Sequence, residues 1–193
     1  MSDKAATISA AQAEADMRHW LERAVIGLNL CPFAKAVHVK GQVHYAVHLP
    51  EDDDAGLLDA LLAEAQALVE RPASERDTTL LMAPHTLADF LDFNDFTARA
   101  ERRLARAGFE GTLQLASFHP RFQFGGTEPD DIGNATNRAP YPTLHLLREE
   151  SIDRAVEAFP EAEAIFERNI ETLESLGHAG WAALNVGAGG SAP

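Results

Sequence analysis

The stretch from residue 42 to residue 82 changes its hydrophobic period twice, and this constrains the fold more than any other feature of the chain. Apolar residues first alternate with polar ones, at Val43, Tyr45, Val47 and Leu49, which predicts a half-buried strand. An acidic run, 51–54, then precedes leucines and alanines at helical spacing as far as Val69, which predicts a helix. The short apolar run Thr78–Met82 predicts a second strand. A strand, a helix and a strand in succession imply a parallel crossover.

The rest of the chain continues this pattern. It predicts helices over 10–28, 86–108, 151–159 and 160–177, strands over 112–118 and 143–147, and a small closing strand or extended segment over 181–186. Ser9 and Gln12 form a capping-box pattern at the first helix. We expect a single-domain α/β fold, with a four- to five-stranded, mainly parallel or mixed sheet covered by helices. The domain should span 9–186, between a flexible leader, 1–8, and a disordered Gly-rich tail, 187–193.

Composition argues against two classes of partner. The 193 residues carry a formal charge of −14, whereas a nucleic-acid binder needs a basic surface and an anionic membrane attracts basic proteins. We therefore expect no nucleic-acid or membrane partner. A single cysteine, Cys31, permits no internal disulfide, and no signal peptide or long apolar run is present. We expect a cytoplasmic protein, while the sequence indicates neither an oligomeric state nor a cofactor.

The segment 118–148 is where we expect the protein to act. It contains a loop longer than the ~12–15 residues beyond which structureless loops are uncommon and usually functional. Four aromatic residues, which disordered segments tend to lack, lie within it at Phe118, Phe122, Phe124 and Tyr141. The segment also concentrates side chains that bind or react, among them His119, Arg121, Asn137, Arg138, His145 and Arg148. An ordered, functional loop is therefore predicted.

Three motifs resemble those of a bacterial protein family of unknown function. They are Gly27–Lys35, which reads GLNLCPFAK, Phe118–Pro120, which reads FHP, and Asn137–Arg148, which reads NRAPYPTLHLLR. The last motif is quite specific, and the resemblance covers most of the predicted domain. It implies no activity and transfers no catalytic residue, so function has to be argued from the residues themselves.

An anion site is the interpretation that the arginines of the loop favour. Arg121, Arg138 and Arg148 carry planar guanidinium groups that match phosphate or carboxylate geometry. Gly125–Gly126 allows the backbone to approach a ligand closely. We expect the arginines to bind substrate together with Asn137, Tyr141 and His145. The alternative is that they pair with acidic residues of the loop and only fix its conformation.

A nucleophilic cysteine is a second interpretation, with Cys31 and His119 as catalytic residues. Cys31 precedes Pro32, which suits the first position of a helix. The helix start and the nearby Lys35 would both lower the pKa of the thiol. His119, at a strand-to-loop junction, is the candidate base. The alternative is that Cys31 is an inert core residue.

Metal binding is a third interpretation with a weaker pattern. His119 and His145 lie at opposite ends of the loop and would approach each other if their strands paired. With Asp130 or Asp131 they would form a two-histidine, one-carboxylate set. No HxxxH spacing on a predicted helix and no CxxC spacing is present, and no metal site is predicted.

Two hypotheses for function follow from these patterns. The first is a cytoplasmic enzyme of unknown reaction class that acts on a small anionic metabolite, bearing phosphate or carboxylate, at a pocket formed by the 118–148 loop. His119 would serve there as general acid or base. The second is a non-catalytic ligand- or partner-binding domain that uses the same loop. An enzyme requires His119 within hydrogen-bond reach of another reactive group, whereas a binding module requires only the arginines.

Overall fold

The computed structural model describes residues 7–159, 161 and 164–191, and a four-stranded sheet forms its centre. The strands are β1 (Val43–Val47), β2 (Thr78–Met82), β3 (Leu113–Phe118) and β4 (Thr143–Arg148). They lie in the order β1-β2-β4-β3. β1 is parallel to β2, whereas β4 runs antiparallel to both of its neighbours. The mixed α/β architecture expected from the sequence is confirmed.

Helices of varied length surround the sheet. They are α1 (Ala10–Trp20), α2 (Ala34–Val39), α3 (Asp54–Val69), α4 (Phe90–Arg106), α5 (Glu149–Ala158) and α6 (Ile165–Ala183). A π-helical segment, Leu21–Ile26, continues α1, and a 3₁₀ segment, Ile132–Asn137, lies inside the long loop. The predicted start of the first helix is confirmed, because the hydroxyl of Ser9 accepts a hydrogen bond from the N–H of Gln12 at 3.2 Å.

The crossover between β1 and β2 is formed by α3. Asp53 caps this helix, since its side chain accepts a hydrogen bond from the N–H of Gly56 at 2.9 Å. A helical crossover carries the chain back to the starting end of the sheet, which gives the parallel pair. The long loop between β3 and β4 instead reverses the chain, and the two strands pair antiparallel with Leu115 opposite Leu146.

Each face of the sheet carries its own core. α3 and α4 cover one face, in a cluster that includes Leu61, Phe93, Phe96, Leu81 and Leu146. α1 and the π-helical segment cover part of the other face, in a cluster that includes Met17, Trp20, Tyr45, Leu80 and Met82. Burying one such side chain stabilises the fold by roughly 1.5–3 kcal/mol. The rest of this second face is not covered by α1 and the π-helical segment.

The long loop packs against α6. Leu173 of α6 is fully buried beside Leu30 and Ala135, and Ala135 belongs to the 3₁₀ segment. The expectation of an ordered loop is therefore confirmed. α6 itself runs further than predicted. It bends at Gly177, whose φ of 65° and ψ of 173° are not helical, and then continues to Ala183 across the region where a short strand was one option.

The amino end of the chain is described only from Thr7 onward. The rest of the predicted leader, 1–6, and the predicted helix-start position Pro160 lie outside the described residues. Ile8 contacts the body of the protein, because Nε2 of His85 lies 3.0 Å from its carbonyl oxygen. Within the described ranges, no helix combines the length and apolar content that a membrane span requires.

The segment 187–191 is hydrogen-bonded to the body of the protein, although its glycine content favours disorder. The N–H of Gly189 donates to the carboxylate of Asp16 at 2.8 Å. The N–H and the hydroxyl of Ser191 donate to the same carboxylate at 3.1 and 2.6 Å. Asp16 is only 1% exposed, and composition does not reveal such a buried anchor. Residues 192–193 of the predicted tail lie outside the described residues.

Candidate functional site

A cavity of about 530 Å³ lies on the face of the sheet that α1 partly covers. Its floor consists of side chains from all four strands, Val43, Thr78, Leu80, Ala116, Phe118, His145 and Leu147. Its other walls come from the π-helical segment, from residues 31–37 and from α5. The cavity therefore lies toward the amino ends of β1 and β2, and no residue of 119–142 lines it. Ligands of parallel sheets bind at the carboxyl ends of strands, but antiparallel β4 makes this sheet mixed.

The π-helical segment shapes one wall of the cavity. The N–H of Gly27 bonds the carbonyl of Glu22 at 3.0 Å, and that of Leu30 bonds Val25 at 2.9 Å. Each bond spans five residues, which makes the backbone wider than in an α-helix. Leu21 and Val25 of this segment line the cavity. Such π turns are rare in proteins, and those that do occur are often found at functional sites. This supports a functional role for this wall.

Aromatic side chains form much of the apolar lining. Trp20 and Phe118 meet edge to face with ring centroids 5.1 Å apart, and Phe33 meets Phe159 in the same way at 5.9 Å. The indole N–H of Trp20 donates to the main-chain carbonyl of Arg138 at 2.8 Å. The polar atom of this tryptophan is thus satisfied by the loop, and its rings are left to pack.

His145 is a polar residue on the floor of this largely apolar cavity. Its Nε2 lies 2.6 Å from the hydroxyl of Thr78, which in turn lies 2.7 Å from the carbonyl oxygen of Leu146. The imidazole is half-buried and contacts the ring of Phe118, with centroids 5.9 Å apart. Burial lowers the pKa of His145 to about 4, because the imidazolium form loses its solvation. The ring is therefore neutral at pH 7.

Three further polar residues, Asp77, Arg148 and Ser151, line the cavity. The hydroxyl of Ser151 donates to Oδ1 of Asp77 at 2.6 Å. The guanidinium group of Arg148 donates at 2.5, 2.5 and 3.0 Å to the main-chain carbonyls of Leu68, Arg71 and Arg76. Arg148 thereby caps the carboxyl end of α3. It lies in the cavity wall with its charge directed at main-chain oxygens.

Cys31 lines the cavity just before α2. Burial raises the pKa of its thiol, although the main-chain N–H groups of Phe33 and Ala34 oppose this effect. The protonated thiol therefore predominates at pH 7. Cys31 also packs at the edge of the apolar cluster that contains Trp20. His119 is not among the described residues of this cavity wall, so the predicted nucleophile and base do not share the pocket.

His119 is enclosed between two phenylalanines of α4 and is only 1% exposed. Its ring centroid lies 5.4 Å from that of Phe90 and 5.1 Å from that of Phe93. Nδ1 accepts a hydrogen bond from the N–H of Arg121 at 3.0 Å, and Nε2 donates to the carbonyl of Leu87 at 3.1 Å. Burial lowers the pKa of His119. Both ring nitrogens bond the main chain, which suits a structural histidine, and its catalytic role stays a prediction.

The other two predicted arginines also bond main-chain carbonyls. Arg121 donates to the carbonyl of Ala88 at 2.5 Å. Arg138 donates to two carbonyls of the loop at 3.1 and 2.6 Å. With Arg148 at the end of α3, the three guanidinium groups hold three different parts of the backbone. The structure does not bring them together around one anion.

Asn137 and Tyr141 connect the loop to the rest of the protein. The side-chain amide of Asn137 donates to the main-chain carbonyl of Ser117 at 3.2 Å. The main-chain carbonyl of Asn137 accepts a hydrogen bond from the N–H of His119 at 3.1 Å. The hydroxyl of Tyr141 donates to Asp16 at 2.6 Å. Neither residue lines the cavity. Among the predicted site residues, the structure places three in the cavity wall, namely Cys31, His145 and Arg148.

Sequence patterns do not reveal the polar partners of His145 in the cavity or the residue that orders the loop. Thr78 stands out in the sequence only as the first residue of an apolar run, because its contact with His145 depends on the pairing of β2 with β4. In the loop, the fully buried Asn134 accepts hydrogen bonds from Phe124 and Thr127 and donates one to Glu128, all at 2.9 Å. An asparagine in a loop has no sequence pattern that distinguishes this role.

The two-histidine, one-carboxylate set considered in the metal-binding interpretation is not assembled in the part of the chain that the structure describes. There, no three His, Cys, Asp or Glu side chains are arranged to hold a metal ion. His119 faces α4 and the main chain, whereas His145 faces the cavity. Asp131 instead caps the 3₁₀ segment, because its side chain accepts from the N–H of Gly133 at 2.8 Å.

Comparisons with known proteins identify a family but no activity. The model of a family described as "Protein of unknown function (DUF1415)" matches residues 12–183. No curated protein and no solved structure gives a significant match. The family match covers all three motifs that carry the sequence resemblance, and it assigns no role to any residue in them.

Proposed function

The chain belongs to the DUF1415 family of unknown function, and we propose from its own geometry that it binds a small, largely apolar molecule in the cavity between the sheet and helices α2 and α5. The cavity itself carries this proposal. Its volume of about 530 Å³ falls within the range of about 300–1,000 Å³ that is typical of small-molecule sites. Such sites are lined mainly by apolar and aromatic side chains with a few polar groups that orient the ligand.

The cavity is lined mainly by apolar and aromatic side chains, with a few polar groups. Trp20, Phe33 and Phe118 supply aromatic surface, and the leucines, valines and alanines around them supply the rest. A ligand that binds in this space would remove the apolar lining from water, which stabilises the complex by roughly 25 cal/mol per Å² of apolar surface buried. The polar groups stand together near His145 and Thr78, as expected for an orienting end.

The prediction of an enzyme for a small anionic metabolite remains untested, and the positions of the arginines give it less support than the cavity gives to an apolar ligand. A catalytic use of the cavity is a second candidate function. It is favoured by one observation, that Cys31 and His145 line the same cavity. The raised pKa of Cys31 opposes a thiolate nucleophile. Binding without covalent chemistry therefore agrees better with the site.

Filling the cavity tests the proposal. Ala155 of α5 lines the cavity, whereas Ala158 on the same helix is exposed. We expect neutral N-phenyl-1-naphthylamine to bind the wild-type protein saturably, with one site per chain and a rise in fluorescence. Ala155→Trp should abolish this binding, because the indole occupies the space. The matched control Ala158→Trp should bind like wild type. Equal binding by both variants, or no saturable binding by wild type, would refute the proposal.

A further inference from the structure

The hydrogen bonds around Thr78 fix the tautomer of His145. A threonine hydroxyl has one hydrogen to donate, and a main-chain carbonyl can only accept. Both contacts of the Thr78 hydroxyl, to the Leu146 carbonyl at 2.7 Å and to Nε2 of His145 at 2.6 Å, are short. They are both hydrogen bonds only if the hydroxyl donates to Leu146 and accepts from His145. Nε2 therefore carries the hydrogen, and Nδ1 carries the lone pair.

Nδ1 of His145 is open to the cavity. Among the described residues, no group hydrogen-bonds this atom, and it is not one of the enclosed polar atoms that lack a partner, which are His19 Nε2, Tyr45 Oη and Thr136 Oγ1. The half-buried imidazole lies on the cavity floor, so the exposed part of the ring faces that space. Burial also opposes protonation of the ring. Nδ1 is thus an acceptor at neutral pH.

The neighbouring hydroxyl groups do not offer their hydrogens to the cavity, and a neighbouring carboxylate adds acceptors. The hydroxyl of Ser151 donates its hydrogen to the carboxylate of Asp77, and that of Thr78 donates its hydrogen to the carbonyl of Leu146. The Nε and Nη2 groups of Arg148 donate to carbonyls in the last turn of α3 and just after it. The carboxylate of Asp77, which can only accept hydrogen bonds when ionised, remains in the same wall. The polar end of the cavity therefore presents lone pairs to whatever enters.

We infer that the cavity selects molecules that carry a hydrogen-bond donor, such as a hydroxyl or N–H group on an apolar skeleton, and that Nδ1 of His145 accepts this hydrogen bond. This inference rests on the proposed function and names the class of ligand. A carboxylate or an ether oxygen would place its own lone pairs against Nδ1 and Asp77. A site built to hydrogen-bond a substrate hydroxyl rejects the analogue that lacks it, because a buried polar group is then left unpaired.

Three probes with one skeleton test the inference in solution. They are 2-naphthol, which donates a hydrogen bond, 2-methoxynaphthalene, which only accepts, and 2-naphthoate, which is anionic. Titration calorimetry on the wild-type protein should give an affinity for 2-naphthol at least ~10-fold higher than for the ether, as one hydrogen bond of about 1.4 kcal/mol provides. The affinity for 2-naphthoate should be lower still.

Two variants connect this selectivity to the proposed atoms. His145→Phe keeps a ring of similar shape without Nδ1 and should bring the naphthol-to-ether ratio close to one, while binding of the ether is retained. Thr78→Val removes the group that fixes the tautomer and should also lower the ratio. A long-range ¹H–¹⁵N spectrum of the wild-type imidazole should show hydrogen on Nε2, and this measurement does not depend on whether a variant folds.

The possible outcomes distinguish the inference from the function on which it rests. If naphthol and the ether bind wild type equally, or if the imidazole carries its hydrogen on Nδ1, the inference fails and the apolar site stands. Tightest binding of 2-naphthoate would also overturn it and would favour Arg148 as an anion ligand. If none of the three probes binds, and N-phenyl-1-naphthylamine does not bind either, the proposed function itself fails.

Discussion

The arginines of this acidic protein have main-chain contacts that the sequence does not reveal. Three guanidinium groups in or beside one loop indicate anion binding when only the sequence is considered. In the structure, Arg121, Arg138 and Arg148 each donate to main-chain carbonyls. The planar group suits carbonyls at helix ends and in loops because it presents several N–H donors in fixed directions. Their shared contribution is to hold backbone segments in place.

Cys31 provides the test of covalent chemistry at the residue scale. Since burial raises the pKa of its thiol, the native protein should react with iodoacetamide at neutral pH more slowly than the urea-unfolded chain, because a smaller fraction of the native thiol is in the reactive thiolate form. Bound N-phenyl-1-naphthylamine should slow the reaction further, because Cys31 lines the cavity. The measurement is unambiguous, since Cys31 is the only cysteine. A native thiol that reacts faster than the unfolded one would restore the prediction of a nucleophile.

The sequence identifies His145 as a candidate but not its chemical state. Its position after a proline-rich motif is visible in the chain, and it was predicted to bind substrate. Its neutral form and its free Nδ1 depend on Thr78, which lies 67 positions away in the chain and comes into contact only through the pairing of β2 with β4. His119 differs from it in burial and in main-chain partners. Neither difference follows from local pattern.

At the scale of single elements, local chemistry predicts where helices begin better than how they continue. Ser9 caps α1 with its side-chain oxygen, as its pattern predicted. The next long helix before β3 was predicted to start at residue 86, whereas α4 begins at Phe90 with Asp89 as its cap. The π-helical segment was predicted as ordinary α-helix, because its apolar residues keep a spacing that both helix types satisfy. The continuation of α6 beyond Gly177 was missed for a related reason. A glycine with positive φ commonly ends a helix, but here the chain bends and resumes helical structure.

α5 should respond to the ligand more than any helix on the opposite face. It has no fully buried residue, and its cavity-facing residues include Ile152 and Ala155. Few buried contacts give a low free energy of local opening. We expect the amides of α5 to exchange with deuterium faster than those of α4, and to become protected when N-phenyl-1-naphthylamine fills the cavity beneath them.

α4 is the internal control for this experiment, because it covers the other face of the sheet and has four buried residues. Its exchange should not change on addition of the probe. Protection that is equal in α4 and α5 would indicate a general effect on global stability. Protection confined to α4 would place the ligand on the wrong face and contradict the proposed site.

At the scale of the whole molecule, strand order is the feature that the sequence does not determine. The β1–α3–β2 unit was predicted correctly as a parallel crossover, since the handedness and length of such a connection are general. The insertion of β4 between β2 and β3 depends on the path of the long loop, which determines beside which strands β4 pairs. That insertion brings His145 opposite both Leu80 and Ala116. The floor of the cavity therefore exists only once the complete sheet has formed.

Asp16 joins three distant parts of the chain at one buried carboxylate. It lies on α1 and accepts hydrogen bonds from Gln12 on the same helix, from Tyr141 before β4, and from Gly189 and Ser191 near the carboxyl end. Burial alone would raise its pKa, but the hydrogen bonds from Ser191, Tyr141 and Gly189 outweigh burial and lower it. The carboxylate is therefore ionised at neutral pH and satisfied by neutral donors.

Replacing this carboxylate should destabilise the whole protein. Asp16→Asn substitutes an N–H₂ donor for one acceptor oxygen among groups that all donate, and we expect a loss of about 2–4 kcal/mol in the free energy of unfolding by urea at pH 7. Glu14→Gln on the same helix, which affects only an exposed pair with Arg18, should cost less than about 1 kcal/mol. Hydrogen exchange over 187–191 should rise in Asp16→Asn and not in the control.

The stability that Asp16 contributes should depend on pH. Because the folded pKa of Asp16 lies below the unfolded value of about 3.9, its contribution is present above that pH and is lost as the pH falls toward the folded pKa. The difference in stability between wild type and Asp16→Asn should therefore shrink below about pH 4. Equal stability of Asp16→Asn and Glu14→Gln at pH 7 would show that this junction does not hold the carboxyl-terminal segment to the fold.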